Sequence, residues 1–312
     1  MAIPAITKGG LIIKTKRKPS EIAADVAIYA ILATIGLLAL YPLWNVAVLA
    51  LNDPLDTLRG GIYLWPRMFT LNNLSLILRQ EQLATAFKNS VLRTGIGVAS
   101  ALFFNTMAAY VISRKDFVFR KAAQRLLAVT MYVNGGLIPY YLVVKSVGLR
   151  NNFLVYILPM MFNAFYILII RSFMDELPDS LTEAARIDGA GDFTVYWKVV
   201  LPLSAPVLAT IGLFIAVDQW SQWFDSFVFT TDKSLTTLQY ELVKVLNQST
   251  SSVSDINSLR QRLQSGGQIN IVYTPQSIRM AITIISTIPI VLVYPFIQKY
   301  FIKGVMIGAV KG

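Results

Sequence analysis

The chain contains neither cysteine nor histidine, and only 14% of its residues are charged. Without cysteine there is no disulfide, thiolate metal site or cysteine nucleophile. Without histidine the commonest general base and the commonest transition-metal ligand are also missing. An enzyme built on this chain would lack most of the usual catalytic side chains. The charged share falls well below the roughly 25% of soluble domains, and the apolar share, 55%, exceeds their roughly 45–50%. This composition points to lipid as the solvent.

What is present in abundance is long apolar runs. About 20 helical residues cross a bilayer's hydrocarbon core, and six stretches reach that length: 26–51, 94–112, 126–144, 151–170, 199–217 and 280–298. None holds a charged residue, and charges mark their limits, as with Arg125 and Lys145 around the third and Lys198 and Asp218 around the fifth. The runs show no strict apolar/polar alternation, so helices rather than a β-barrel are predicted. Arg93 is expected at the mouth of the second span, because an arginine at mid-bilayer costs about 2.5–3.5 kcal/mol.

The net charge of +11 does not point to nucleic acid, since the basic residues lie between apolar runs instead of on one polar face. Their distribution orients the chain. With the N-terminus inside, the cytoplasmic side holds Lys8, Lys14, Lys16, Arg17 and Lys18, then Arg114, Lys115, Arg120, Lys121 and Arg125, and finally Lys299, Lys303 and Lys311. The expected organisation is a basic cytoplasmic segment, 1–25, and a membrane domain, 26–312, with both termini inside. The first apolar run is too long for a secretory signal and is read as a retained span. On the outer side, 52–88 is rich in turn formers ahead of a short surface helix around 72–83, and 223–276 is a polar loop.

The inner segment 172–198 departs from the charge trend, with Asp175, Glu176, Asp179, Glu183, Asp188 and Asp192 against Arg186. Pro178 suits a first helical turn, and Ser180 with Glu183 fits a capping box. Leu181, Ala184, Ala185 and Asp188 share one helical face. Gly189 supplies a left-handed helix end, Gly191 adds a flexible point, and Asp192 is positioned to cap the next helix. The result is a helix, turn, helix elbow whose small alanines let another protein approach closely.

Those residues carry a resemblance. Glu183-Ala184-Ala185, Gly189 four residues later, Val199 ten residues beyond, and Leu201-Pro202 resemble the EAA loop of ABC importer permeases, with Val199 in place of the usual Ile. Asn89-Ser90-Val91, Gly135-Gly136-Leu137-Ile138-Pro139, the AARID run from Ala184 to Asp188 and the ending from Gln298 are similar to the carbohydrate permeases, in particular those for complex oligosaccharides. The basic N-terminus is the one departure.

The resemblance implies an all-α polytopic membrane protein of six transmembrane helices in the bacterial cytoplasmic membrane. It implies a second homologous permease, two cytoplasmic ATPase subunits and an extracytoplasmic solute-binding protein as partners, with membrane lipid around the spans and no nucleic acid. No cofactor is implied in this chain, ATP and Mg belonging to the ATPases, and no catalytic residue. The coupling loop would comprise Leu181, Glu183, Ala184, Ala185, Asp188, Gly189, Gly191, Leu201 and Pro202. The subgroup implies an oligosaccharide, uronate-containing ones included. Outer bases such as Lys244, Arg260 and Arg262 suit an acidic ligand, and equally a contact with the binding protein.

Sugars are held by planar polar groups and aromatic faces. Candidates for a substrate path are therefore Asn105, Tyr110, Tyr132, Asn134, Asn163, Tyr166, Asp218, Gln219, Trp220 and Trp223. Each has a structural alternative, since buried Asn stitches helices and Tyr or Trp marks the interface. Two enzymatic patterns fail. Gly189-Ala190-Gly191-Asp192 fits the GxGD aspartyl proteases, but Asp192 lies in a charged loop with no membrane-embedded partner. Gly10 to Thr15 lacks the second glycine of a phosphate loop. A six-helix secondary transporter or channel is the alternative class, although such proteins place ionisable groups within their spans.

Overall fold

The computed structural model describes residues 19–79, 81–251 and 274–309, excepting the side chains of 248–251 and 293–309. The basic run from Lys8 to Lys18, residues 252–273 of the outer polar loop with Arg260 and Arg262, and Lys311 lie outside these. Among the described residues the regular structure is helical, apart from one isolated bridge between Asn52 and Phe69.

Among the described residues three helices are long and apolar enough to cross a membrane alone: α1 (Pro19–Ala50), α4 (Glu81–Ser113), and α14 (Pro275–Ala309), which passes the test over Pro275–Leu292. Three bent helix pairs pass the same test of length and apolarity only jointly. Helix α5 (Arg120–Tyr132) meets α6 (Leu137–Ser146) at 117°. A 3-10 stretch, Phe153–Met160, meets α7 (Ala164–Asp175) at 45°. The segment Asp192–Leu203 meets α11 (Ala205–Ser221) at 80°. Counting each pair once gives six.

The continuous third, fourth and fifth spans expected from the sequence are thus broken, for local reasons. In the third, the amide of Gly136 donates to Asn134 Oδ1 at 2.8 Å and Gly136 takes φ 82°, which turns the chain out of the helix. In the fifth, Pro202 has no N–H to give to the preceding turn. The chain runs from α9 (Asp192–Val195) through a π turn (Tyr196–Val200) and α10 (Leu201–Leu203) to the bend at Ser204. Hydropathy averaged over a window does not register such breaks.

The outer segments are more ordered than a loop. Short α2 (Pro54–Arg59) is capped by Asp53, whose carboxylate accepts from the amides of Leu55 and Asp56. The expected surface helix ends early, as α3 (Asn72–Leu78), and the second span begins at Glu81, far ahead of Thr94. Within 223–276 lie α12 (Phe224–Phe229) and α13 (Leu238–Ser251).

Lipid tails are as apolar as leucine, so spans associate through close packing and hydrogen bonds. The seam between α4 and α11 shows both. Ala101 and Ala109 are buried there, and a Cβ on Gly97 would sit 2.7 Å from Gln219 Nε2. Helix α4 also packs along α7, forming with α11 a core of Tyr110, Ile170, Met174, Tyr196, Ile211 and Ile215. Helix α14 closes the other side against α1, α11 and α13. The flanks of α1 are almost wholly exposed in the single chain, as expected of a lipid-facing or subunit-facing span.

Arg93 is held inside the protein. It lies within α4 and is fully buried. Its Nη2 donates to Asp225 Oδ2 at 2.6 Å, its Nε to Gln219 Oε1 at 2.7 Å, and its Nη1 to the Gln222 carbonyl at 2.9 Å. The guanidinium also lies 4.7 Å from the Tyr156 ring centroid. A buried charge is tolerable when it is paired and its donors are satisfied, and a pairing between positions 132 residues apart leaves no local signal.

Candidate functional site

The elbow forms where α7 ends. Helix α8 (Asp179–Ile187) follows with Pro178 at its N-cap and no side-chain cap bond, so the Ser180–Glu183 box does not form: Ser180 already lies inside the helix. Asp192 likewise does not cap. Gly191 occupies that position in an extended conformation, and Asp192 opens α9 where the helix dipole favours an acid.

The C-terminus of α8 is as expected. Gly189 has φ 83°, the left-handed region that glycine enters without strain. The Gly189 amide donates to the Arg186 carbonyl and the Ala190 amide to the Ala185 carbonyl, both at 3.0 Å. These are the two reversed bonds of a Schellman motif, which satisfy carbonyls the helix would leave open.

Ion pairs hold Asp175, Asp179 and Asp192, three of the six acids of this segment. Lys115 Nζ lies 2.5 Å from Asp179 Oδ2, and Arg171 and Arg120 both meet Asp175, at 2.5 and 3.2 Å. Arg186 Nη2 spans the turn, 2.8 Å from Asp192 Oδ1 and 3.6 Å from Asp116 Oδ2. The Lys115 ammonium holds the Asp179 carboxyl below its ordinary range by hydrogen bonding and charge, while Asp192 holds the Arg186 guanidinium protonated beyond its usual range. Between these partners lies an open cleft of about 290 Å³ whose lining includes Arg114, Asp116, Asp179, Thr182, Glu183 and Arg186.

Beneath the elbow, Val195 and Tyr196 are buried. The Tyr196 hydroxyl is 2.7 Å from Thr106 Oγ1, and the Tyr110 hydroxyl donates to the Asp192 carbonyl at 3.3 Å. On the outer surface Leu181, Ala184, Ile187 and Asp188 are exposed, as are Phe193 and Trp197, while Ala185 turns half inward against the core. Ile187, at 86% exposure, stands almost free. Small Ala184 among larger apolar neighbours makes a face suited to a protein groove. Leu201 and Pro202 lie in α10, just before the bend of the fifth span, Leu201 half-buried and Pro202 exposed.

The structure disperses the path candidates. Asn105 is fully buried, donating to the Ala101 and Met161 carbonyls and accepting from the Asn163 amide. Trp220 is buried and donates to the Ser286 carbonyl at 2.8 Å. Gln219 is occupied by Arg93 and Tyr156, and Tyr110 by the elbow. In all four the polar atoms are engaged within the chain, as a packing role requires. Asn163 caps α7, accepting from the amides of Phe165 and Tyr166. Tyr166 donates to Asp218 Oδ2 at 2.6 Å, joining α7 to α11 at an exposed carboxylate. Tyr132 and Asn134 are exposed at the break of the third span, and Trp223 is half exposed beyond α11. The Arg93–Asp225 pair was not recognised from sequence; Asp225, an acid among aromatics directly after an apolar run, was the available signal.

An all-helical bundle with a charge-tethered elbow between its fourth and fifth spans defines a permease of the importer class. The central region, residues 95–230, matches the family of binding-protein-dependent transport system inner membrane components. The polygalacturonan/rhamnogalacturonan transport system permease protein YtcP of Bacillus subtilis (strain 168) is 35% identical over 92% of this chain and 98% of its own length. Protein LplC of the same organism is 34% identical over 92% and 95%. A solved bacterial ABC transporter "involved in the import of the acidic polysaccharide alginate" contains a chain 28% identical to this one, with TM-score 0.81, covering 92% of this chain and all of that one. The chain belongs to this family, the inner-membrane permeases of ABC importers. That membership sets aside the secondary-transporter and channel alternative.

Proposed function

We propose that the chain is the permease through which an acidic oligosaccharide crosses the cytoplasmic membrane, driven by ATP hydrolysis on separate subunits. The observation that carries the coupling part is the elbow: a short helix with a Schellman end, tied by ion pairs to the adjoining inner loop and presenting Leu181, Ala184 and Ile187 outward. A cytoplasmic ATPase seated on that face would move α8 and, through Tyr110, Thr106 and Tyr196, the bundle behind it. Rigid elements of this kind transmit a switch between two packed states. ATP and Mg belong to the ATPases, and this chain needs no catalytic group of its own.

The substrate class rests on the relatives, one described as carrying polygalacturonan or rhamnogalacturonan and another as part of an alginate importer. A second permease would complete the path beside α1 and α14, and a solute-binding protein would deliver the sugar to the outer face carrying α12 and α13. Tyr132, Asn134, Asn163, Tyr166, Asp218 and Trp223 remain the path candidates.

The absence of cysteine makes a direct test simple. Ala184→Cys should cross-link to a single cysteine in the ATPase groove in inverted vesicles, with a yield that changes when ATP is bound. No cross-link from Ala184→Cys or from Ile187→Cys would contradict the assignment.

A further inference from the structure

Beyond α11 the chain builds a second feature that the elbow and the span candidates do not use. Trp223, Phe227, Tyr240, Val243, Lys244 and Asn247 line an open groove of about 290 Å³ between α12 and α13. Its aromatic side is continuous: the rings of Trp223 and Phe227 are 5.9 Å apart and those of Phe227 and Tyr240 6.2 Å. Phe227 is 57% exposed. One cation stands over this surface. Lys244 Nζ lies 4.7 Å from the Tyr240 ring centroid and donates to Glu241 Oε1 at 2.8 Å. Glu241 is itself buried and also receives a bond from Gln82 Nε2 at 3.0 Å, so the ammonium is held from one side. An ammonium has three donors, and two remain for a ligand.

We propose that this groove holds one uronate ring of an incoming oligosaccharide at the outer entrance of the path. The aromatic faces would take the C–H surface of the pyranose, the free donors of Lys244 its carboxylate, and the Asn247 amide its hydroxyls. A groove with only the rings would suit an apolar peptide; the ammonium fixed beside them favours a ligand with both a ring face and a negative charge. The inference rests on the import reading and assigns it an entry site.

The test uses the complete transporter with its ATPases and binding protein in vesicles, with trigalacturonate and its fully methyl-esterified form as probes. A charge-assisted contact predicts that Lys244→Gln raises the KM for the acid by about tenfold and leaves the ester unchanged. Tyr240→Leu should raise both. Unaltered KM for the acid in both variants overturns the proposal. So does weaker capture of the sugar-free binding protein by the variants, which would make the groove a protein contact. Should the wild-type vesicles take up neither probe, the import reading fails on this sugar class, and the groove is read separately by saturation transfer from its aromatic protons to trigalacturonate. Transfer that disappears in Tyr240→Leu supports the site, and no transfer overturns it.

Discussion

Arg93 and Asp225 form a buried ion pair at 2.6 Å that ties the second span to the short helix beyond the fifth. Removing one partner of such a pair leaves the other charge uncompensated, which costs about 3–5 kcal/mol, whereas replacing both is far milder. Asp225→Asn alone should therefore lower the melting temperature of the detergent-solubilised complex substantially. Arg93→Met combined with Asp225→Leu should recover most of that loss. A double variant no more stable than Asp225→Asn would show that the pair is not the source of the effect.

Gly97 supports the same cluster by absence of bulk. A Cβ there would meet Gln219 Nε2 at 2.7 Å, and Gln219 is held by Arg93 Nε and by the Tyr156 carbonyl. Gly97→Val should separate α4 from α11 and lower thermal stability, while Gly95→Val on the same helix, where nothing lies within 4 Å, should not. Equal melting temperatures for the two variants would contradict this packing.

At the elbow, charge is shared with a neighbouring loop. Lys115 and Asp179 are both well exposed, so their pair adds little to stability and serves instead to set the direction of α8. Lys115→Glu should reduce uptake severalfold with normal membrane levels, and adding Asp179→Lys should restore it. The sign of pH dependence follows from the lowered Asp179 carboxyl: its contribution is full above the ordinary carboxylate range and is lost only as pH falls through the lower folded value. Attachment of the ATPase should consequently not vary with pH across the neutral range through this group; a loss near neutrality that Asp179→Asn abolished would refute that sign.

Much of this was legible in the chain itself. Apolar runs of bilayer length marked the long helices and bent pairs, and a glycine after an alanine-rich amphipathic turn marked the end of α8, because both signals are local. The start of that helix was misjudged by two residues and the start of α9 by one, since Pro178 and Gly191 took the cap positions from Ser180 and Asp192. The broken spans were missed because a four-residue interruption at Val133 to Gly136 is itself uncharged. Long-range pairings were the least legible. Nothing near Arg93 announces Asp225, and nothing near Asn105 announces the carbonyl of Met161. For that reason the hydrogen bonds of Asn105, Tyr110, Gln219 and Trp220 could not be assigned from the sequence.

The central claim is that α8 couples this permease to its ATPase, and Gly189 offers the sharpest test. Its φ of 83° is strained for a side chain by about 1 kcal/mol or more, yet no atom lies within 4 Å of the position a Cβ would take. Gly189→Val therefore acts on the path of the chain and not by collision. Reconstituted uptake measured alongside co-purification of the ATPase should show normal membrane levels, weakened ATPase attachment and lost substrate-stimulated transport. Full uptake with normal attachment in Gly189→Val would contradict the coupling role of the elbow.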